Sequence, residues 1–166
     1  MLAPILVITA IFFRFIPHLA NFSPILAIAL FGGVYLNKKY ALFMPLLFMM
    51  ITDLFLGFHN TLLFTWGSIL LISFLGILIR QRKNTLNIIL GSLSSAMIFF
   101  IITNFGVWLM GWYPLTLNGL ITCYTLAIPF FRTTLISTLL FSFILFGIYE
   151  LISKKVKETS FAKILL

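Results

Sequence analysis

The sequence predicts an all-α membrane protein: one transmembrane domain over residues 1–166, six transmembrane helices and both termini in the cytoplasm. Composition is the first ground. Hydrophobic residues make up 62% of the chain and charged residues 8%, against about 45–50% and about 25% in a soluble domain. A water-soluble fold of 166 residues cannot bury so much apolar surface, so lipid must solvate much of it. Length is the second ground, because roughly 20 residues per span plus short loops gives about six helices. Charge placement is the third. Nine of the eleven Lys and Arg residues fall in three short clusters, each where an apolar run stops.

Taken in order, helix one covers 2–16 and ends before Pro17. A short polar stop follows, Pro17-His18-Leu19-Ala20-Asn21-Phe22, and Ser23-Pro24 starts helix two, with Ser as cap and Pro preset at the first helical position. Helix two covers 24–36 and reaches only about 20 Å, less than a hydrocarbon core of about 30 Å. It is therefore tilted into its neighbours or preceded by non-helical backbone shielded by protein. Helix three covers 40–56 and stops at Gly57; helix four covers 62–79 and helix five 85–109. Gly111-Trp112-Tyr113-Pro114 reads as an interfacial turn, where aromatic rings prefer to sit. The apolar stretch 117–131 is interrupted by Pro129 and is expected to form a folded-back segment or partial helix at the outer face. Helix six covers 134–153.

The basic clusters Lys38-Lys39, Arg80/Arg82/Lys83 and Lys154/Lys155/Lys157 with Lys163 follow helices two, four and six, and so fall on one side. The intervening loops carry no Lys or Arg in their polar centres. Parity and charge agree on a cytoplasmic placement for both ends. The same distribution explains the formal charge of +8 without nucleic acid. Cys123 is the single cysteine, which excludes an internal disulfide and a cysteine-built zinc site; it reads as a small packing residue. The first apolar run lacks a basic leader and a clear cleavage site and is expected to be retained as a helix.

Charges inside apolar runs are costly and face a partner or a wet cavity. Only Arg14, Asp53, Arg132 and Glu150 lie within or at the edge of such runs. Glu150 pairs by spacing with Lys154 at the cytoplasmic edge. The other three map to the outer half, with His18, Asn21, His59, Asn60, Asn104, Trp108, Trp112, Tyr113, Asn118 and Tyr124. Two accounts of this cluster stand side by side. Asp53 neutralises Arg14 or Arg132 and ties helices together, the rings forming an interfacial belt. Alternatively the cluster lines a pocket, where one carboxylate among two Arg leaves positive charge for an anionic or strongly hydrogen-bonding ligand. Enzyme signatures are absent: no paired carboxylates, no HExxH, no GxSxG and no phosphate-cradling Gly loop. Gly91-Ser92-Leu93-Ser94-Ser95 and the Ala29/Gly33 spacing read as helix-packing surfaces.

The runs Arg14-Phe15-Ile16-Pro17-His18, Asn21-Phe22-Ser23-Pro24 and Ala27-Ile28-Ala29-Leu30-Phe31-Gly32-Gly33 resemble a family of small bacterial transport proteins. So do Asp53-Leu54-Phe55-Leu56-Gly57-Phe58-His59, Trp112-Tyr113-Pro114, Cys123-Tyr124 and Pro129-Phe130-Phe131-Arg132. That family is similar to the S components of energy-coupling-factor (ECF) transporters. The resemblance implies a six-helix S-component fold in the bacterial cytoplasmic membrane, an outward pocket gated by loops, and two ATPases acting through a coupling subunit. S components often carry an Ala-xxx-Ala face on helix one; here Ala3 and Ala10 do not give that spacing, so coupled and solitary transport both stay open.

The function expected is capture of a small water-soluble micronutrient, without catalysis by this chain and without a metal or other cofactor. Arg14 and Arg132 would hold an acidic or carbonyl group. Asp53, His18, His59, Asn21 and Asn104 would add hydrogen bonds, and Trp108, Tyr113 and Tyr124 would stack or close a lid. The alternatives are a structural or assembly subunit without ligand and, third, an intramembrane enzyme around His18, His59 and Cys123.

Overall fold

The computed structural model describes residues 1–16 and 19–157. Its described residues form seven helices and no strands: α1 (Leu2–Phe12), α2 (Ile25–Tyr35), α3 (Lys38–Ala41), α4 (Phe43–Leu56), α5 (Leu62–Ile79), α6 (Thr85–Val107) and α7 (Leu117–Lys157). A 3₁₀ turn over Phe13–Phe15 prolongs α1, and a wide π turn over Trp108–Trp112 prolongs α6. Four stretches are long and apolar enough to cross a membrane: Lys38–Leu56, Leu62–Arg82, Thr85–Trp112 and Leu117–Lys157. The apolar helices at Leu2–Phe15 and Ile25–Tyr35 are shorter.

α2 is the axis of the bundle. Its residues from Ile25 to Val34 are all buried, and it packs on α1, α4, α5, α6 and α7. At about 1.5 Å per residue its 11 residues span about half a hydrocarbon core. Protein surrounds it, whereas the segment before it reaches the surface, with Leu19 75% exposed. Asn21 in that segment takes φ 61°, a left-handed conformation Asn tolerates better than most side chains.

The α2–α5 contact is close because both helices present glycine. A Cβ on Gly33 would overlap the Ser73 carbonyl oxygen and lie 2.7 Å from the Gly76 Cα. Ala29 and Gly33 on α2 are both fully covered, as the small-residue spacing predicts. Arg80 then closes the carboxyl end of α2. Its Nε and Nη2 donate to the Gly33 carbonyl at 3.1 and 2.6 Å, and Nη2 donates also to the Leu36 carbonyl. These are the carbonyls a helix end leaves without intrahelical donors. Arg80→Ala is expected to cost about 2 kcal/mol in unfolding free energy, and Arg80→Lys to recover less than half, since an ammonium cannot fork between two carbonyls. Denaturant unfolding in micelles measures both.

One end of the bundle gathers the basic residues. Lys83 Nζ lies 3.8 Å from Glu150 Oε1 and 4.5 Å from the Tyr35 ring centre, while Tyr35 donates to Glu150. Glu150 thus takes Lys83 and Tyr35, where spacing had suggested Lys154. Met1 borders the same region beside Tyr35 and Tyr149.

α7 departs from expectation. Residues 117–131 are not a separate folded-back segment; Leu117–Lys157 is one helix of 41 residues with Pro129 inside it. Pro129 removes its own N–H from the ladder and crowds the carbonyl four residues earlier, and the packing on both sides holds the helix on course. The first half of α7 lies on α6, with Cys123 against the Asn104 carbonyl and Phe131 4.6 Å from Phe100. The second half packs on α2 and the end of α1, with Phe141 5.4 Å from Phe13 and Phe146 5.2 Å from Phe31.

Candidate functional site

At the end opposite the basic cluster, α2 stops short and the volume beyond it stays open. The walls are the Phe13–Phe15 turn, α4, the start of α5, the last turns of α6 and the first half of α7. Together they enclose a cavity of about 750 Å³, within the range of small-molecule sites.

A buried ion pair fixes one wall. Arg14 Nη2 lies 3.0 Å from Asp53 Oδ1. Arg14 Nη1 donates to Thr52 Oγ1 and meets Met49 Sδ at 2.7 Å. Trp66 Nε1 donates to Asp53 Oδ2 at 2.9 Å, so both carboxylate oxygens are satisfied. Asp53 is 2% exposed and the Arg14 side chain 13%. The pair ties the end of α1 to α4, and the indole brings in α5. Arg14 borders the cavity; Asp53 stands behind it, outside the lining.

Much of the remaining lining is aromatic and hydroxyl-bearing. Phe99, Phe100, Phe130 and Phe131 line the cavity with Thr65, Thr103 and Thr134. Each of these threonines donates its hydroxyl proton to a carbonyl one turn earlier: Thr65 to Thr61 at 3.2 Å, Thr103 to Phe99 at 2.7 Å and Thr134 to Phe130 at 3.0 Å. The Asn104 amide nitrogen donates likewise to the Phe100 carbonyl at 2.8 Å. His59 at the rim is exposed, its Nδ1 3.0 Å from Thr61 Oγ1.

Of the residues expected to bind, Arg14, Asn21, His59, Asn104 and Tyr113 line the cavity. His18 lies outside the described residues. Trp108 and Tyr124 do not line it: the indole donates to the Pro114 carbonyl at 3.0 Å and closes the turn after α6, and the Tyr124 hydroxyl donates to the Ile101 carbonyl at 2.6 Å and ties α7 to α6. Arg132 is exposed on α7 and is not part of the lining. The expected pair of arginines is therefore one arginine, already paired.

Sequence reasoning missed Trp66, Thr52 and the threonine wall. Trp66 carried a signal, since an indole N–H within an apolar run needs an acceptor and Asp53 is the one carboxylate on the neighbouring helix. The threonines carried none, because a membrane-helix hydroxyl satisfied by its own backbone can face any direction. Among the described residues no group of three His, Cys, Asp or Glu is placed to hold a metal ion.

The chain belongs to a family of unknown function, DUF6580, whose model matches residues 1–160. No curated protein and no solved structure matches it.

Proposed function

We propose that this chain is a substrate-binding membrane subunit for uptake of a small water-soluble micronutrient, of the vitamin or vitamin-precursor class. It crosses the bacterial cytoplasmic membrane six times with both termini inside, and the cavity opens outward. Energy comes from partner ATPases through a coupling subunit, as in the S components it resembles, or the chain works alone. The observation that carries this proposal is the cavity of about 750 Å³. It is placed where the polar residues of an otherwise apolar chain converge, and opposite the basic end that the positive-inside bias assigns to the cytoplasm.

One observation favours the structural-subunit alternative. Arg14 and Asp53 satisfy each other, as a tie between helices requires. Such a tie needs no open volume beside it, and the cavity tips the balance toward binding.

Native mass spectrometry of the purified protein should reveal a co-purified small molecule, and labelled-vitamin uptake in auxotrophic cells should name it. Ala127 lines the cavity and is 8% exposed. Filling the space with Ala127→Phe should weaken uptake by about tenfold or more while the protein still reaches the membrane. Unchanged uptake in that variant, or no uptake of any vitamin with or without a coupling module, counts against transport.

A further inference from the structure

We infer that the basic end of the bundle is a binding surface for anionic phospholipid. Its cations take the headgroup phosphate, and the apolar side chains beside them take the acyl chains. The surface is separate from the cavity and needs no solute there. Charge, the joining of three sequence-distant clusters and the residues that flank them lead to this assignment.

The clusters at 38–39, 80–83 and 154–157 bring eight Lys and Arg residues to this end. Among the described residues they meet one carboxylate, Glu150, which already takes Lys83 at 3.8 Å and the Tyr35 hydroxyl. Arg80 is spent on the Gly33 and Leu36 carbonyls. The other six are exposed and reach no described carboxylate. So large a surplus of positive charge on one face attracts anions.

Two contacts make the clusters one surface. Arg80 on the Leu36 carbonyl sets the 80–83 turn against the chain two residues before Lys38. Lys83 beside Glu150 sets the same turn against α7, one helical turn before Lys154. Asparagines fix the backbone that carries the cations. Asn37 accepts from the Lys39 N–H at 3.1 Å, Asn84 accepts from the Asn87 N–H at 2.7 Å, and the Asn87 amide donates to the Arg82 carbonyl. Less ordering is left to be done when a phosphate arrives.

The flanks select lipid over soluble phosphate. Phe43, Leu78 and Leu151 are exposed, and each lies three or four residues from Lys39, Arg82 or Lys154 on the side toward the middle of the bundle. That spacing stacks an apolar and a basic side chain on one helical face. A ligand here meets charge at one end and hydrocarbon at the other. Inorganic phosphate uses only the first; a phospholipid uses both.

The test uses the full chain, delipidated in micelles and offered phosphatidylglycerol or phosphatidylcholine with identical acyl chains, with retained lipid counted by native mass spectrometry. Phosphatidylglycerol should be retained about tenfold better. Arg82→Gln should lower that ratio about threefold, and adding Lys39→Gln and Lys154→Gln should bring it below about twofold. Arg132→Gln removes the same charge from the cavity half of α7 and should leave the ratio unchanged. Equal retention of the two lipids by the unmodified chain overturns the proposal and leaves the surplus charge to an acidic protein surface. A ratio that survives the triple substitution, or falls as far in Arg132→Gln as in Arg82→Gln, removes the site. Displacement of the lipid by millimolar glycerol phosphate overturns the choice of lipid over a soluble phosphate.

Discussion

Asp53→Ala should destabilise the bundle by about 3–5 kcal/mol, the range for breaking a buried ion pair by deleting one partner. Both oxygens lost in that variant are in use. Arg14 would keep Thr52 and Met49 as neighbours, neither of them charged, and the Trp66 N–H would lose its acceptor. The larger part of the cost is the guanidinium left without a counter-charge where water is scarce. Removing both charges together, Arg14→Met with Asp53→Leu, should therefore restore most of the lost stability, because well-packed apolar residues replace buried pairs at little cost. Guanidinium or thermal unfolding in micelles gives the three free energies, and the coupling between the sites follows from the double-mutant cycle. If Asp53→Ala unfolds like the unmodified protein, the pair is not what holds α1 to α4. The cycle also separates the two uses of Arg14: the double variant regains stability, yet its cavity wall has lost its one guanidinium.

Most of the helices were legible in the sequence. The α5 boundaries, Leu62–Ile79, were read without error, because Thr61 and Arg80 bracket a mostly apolar run without a charge or a proline. The short α2 and the non-helical approach to it were likewise predictable from Pro24 and the Lys38-Lys39 stop. α7 was not. A proline in a soluble helix usually marks an end, but in an apolar setting neighbouring helices hold the course of the chain, and nothing in Ala127-Ile128-Pro129-Phe130 announces which case applies. The site was legible in part for a related reason. Rare polar residues in apolar runs point to one end of the bundle, which located Arg14, Asp53, Asn104 and Tyr113. Direction is a different matter, since lipid and protein interior are equally apolar and helical periodicity leaves little trace. Tyr124 and Arg132 sit in the same stretch as Cys123 and Ala127, yet only the latter two face the cavity.

Gly33→Leu should prevent the bundle from assembling, and Gly33→Ala should destabilise it by about 2–3 kcal/mol, the upper part of the overpacking range. The obstacle in each case is backbone, which cannot rotate away as a side chain can. On Gly33 the new Cβ meets the Ser73 carbonyl oxygen and lies 2.7 Å from the Gly76 Cα; on Gly76 it meets the Leu30 carbonyl oxygen and lies 2.8 Å from the Gly33 Cα. Gly76→Ala should therefore cost about as much as Gly33→Ala. Gly67 and Gly147 serve as controls, because a Cβ on either meets nothing within 4 Å; alanine there should be neutral or slightly stabilising through helix propensity. The consequence reaches the cavity through geometry. α2 is the axis, and its close approach to α5 lets Arg80 reach the Gly33 carbonyl and sets how far α5 leans toward the Asp53 carboxylate that Trp66 holds. Forcing the two helices apart should detach both contacts at once, at opposite ends of the molecule. Red-shifted tryptophan emission with loss of cooperative unfolding in Gly33→Leu, and a lowered unfolding midpoint in Gly33→Ala but not in Gly67→Ala, is the expected signature. Equal stability of the two variants would mean that the α2–α5 crossing is not the contact on which the bundle closes.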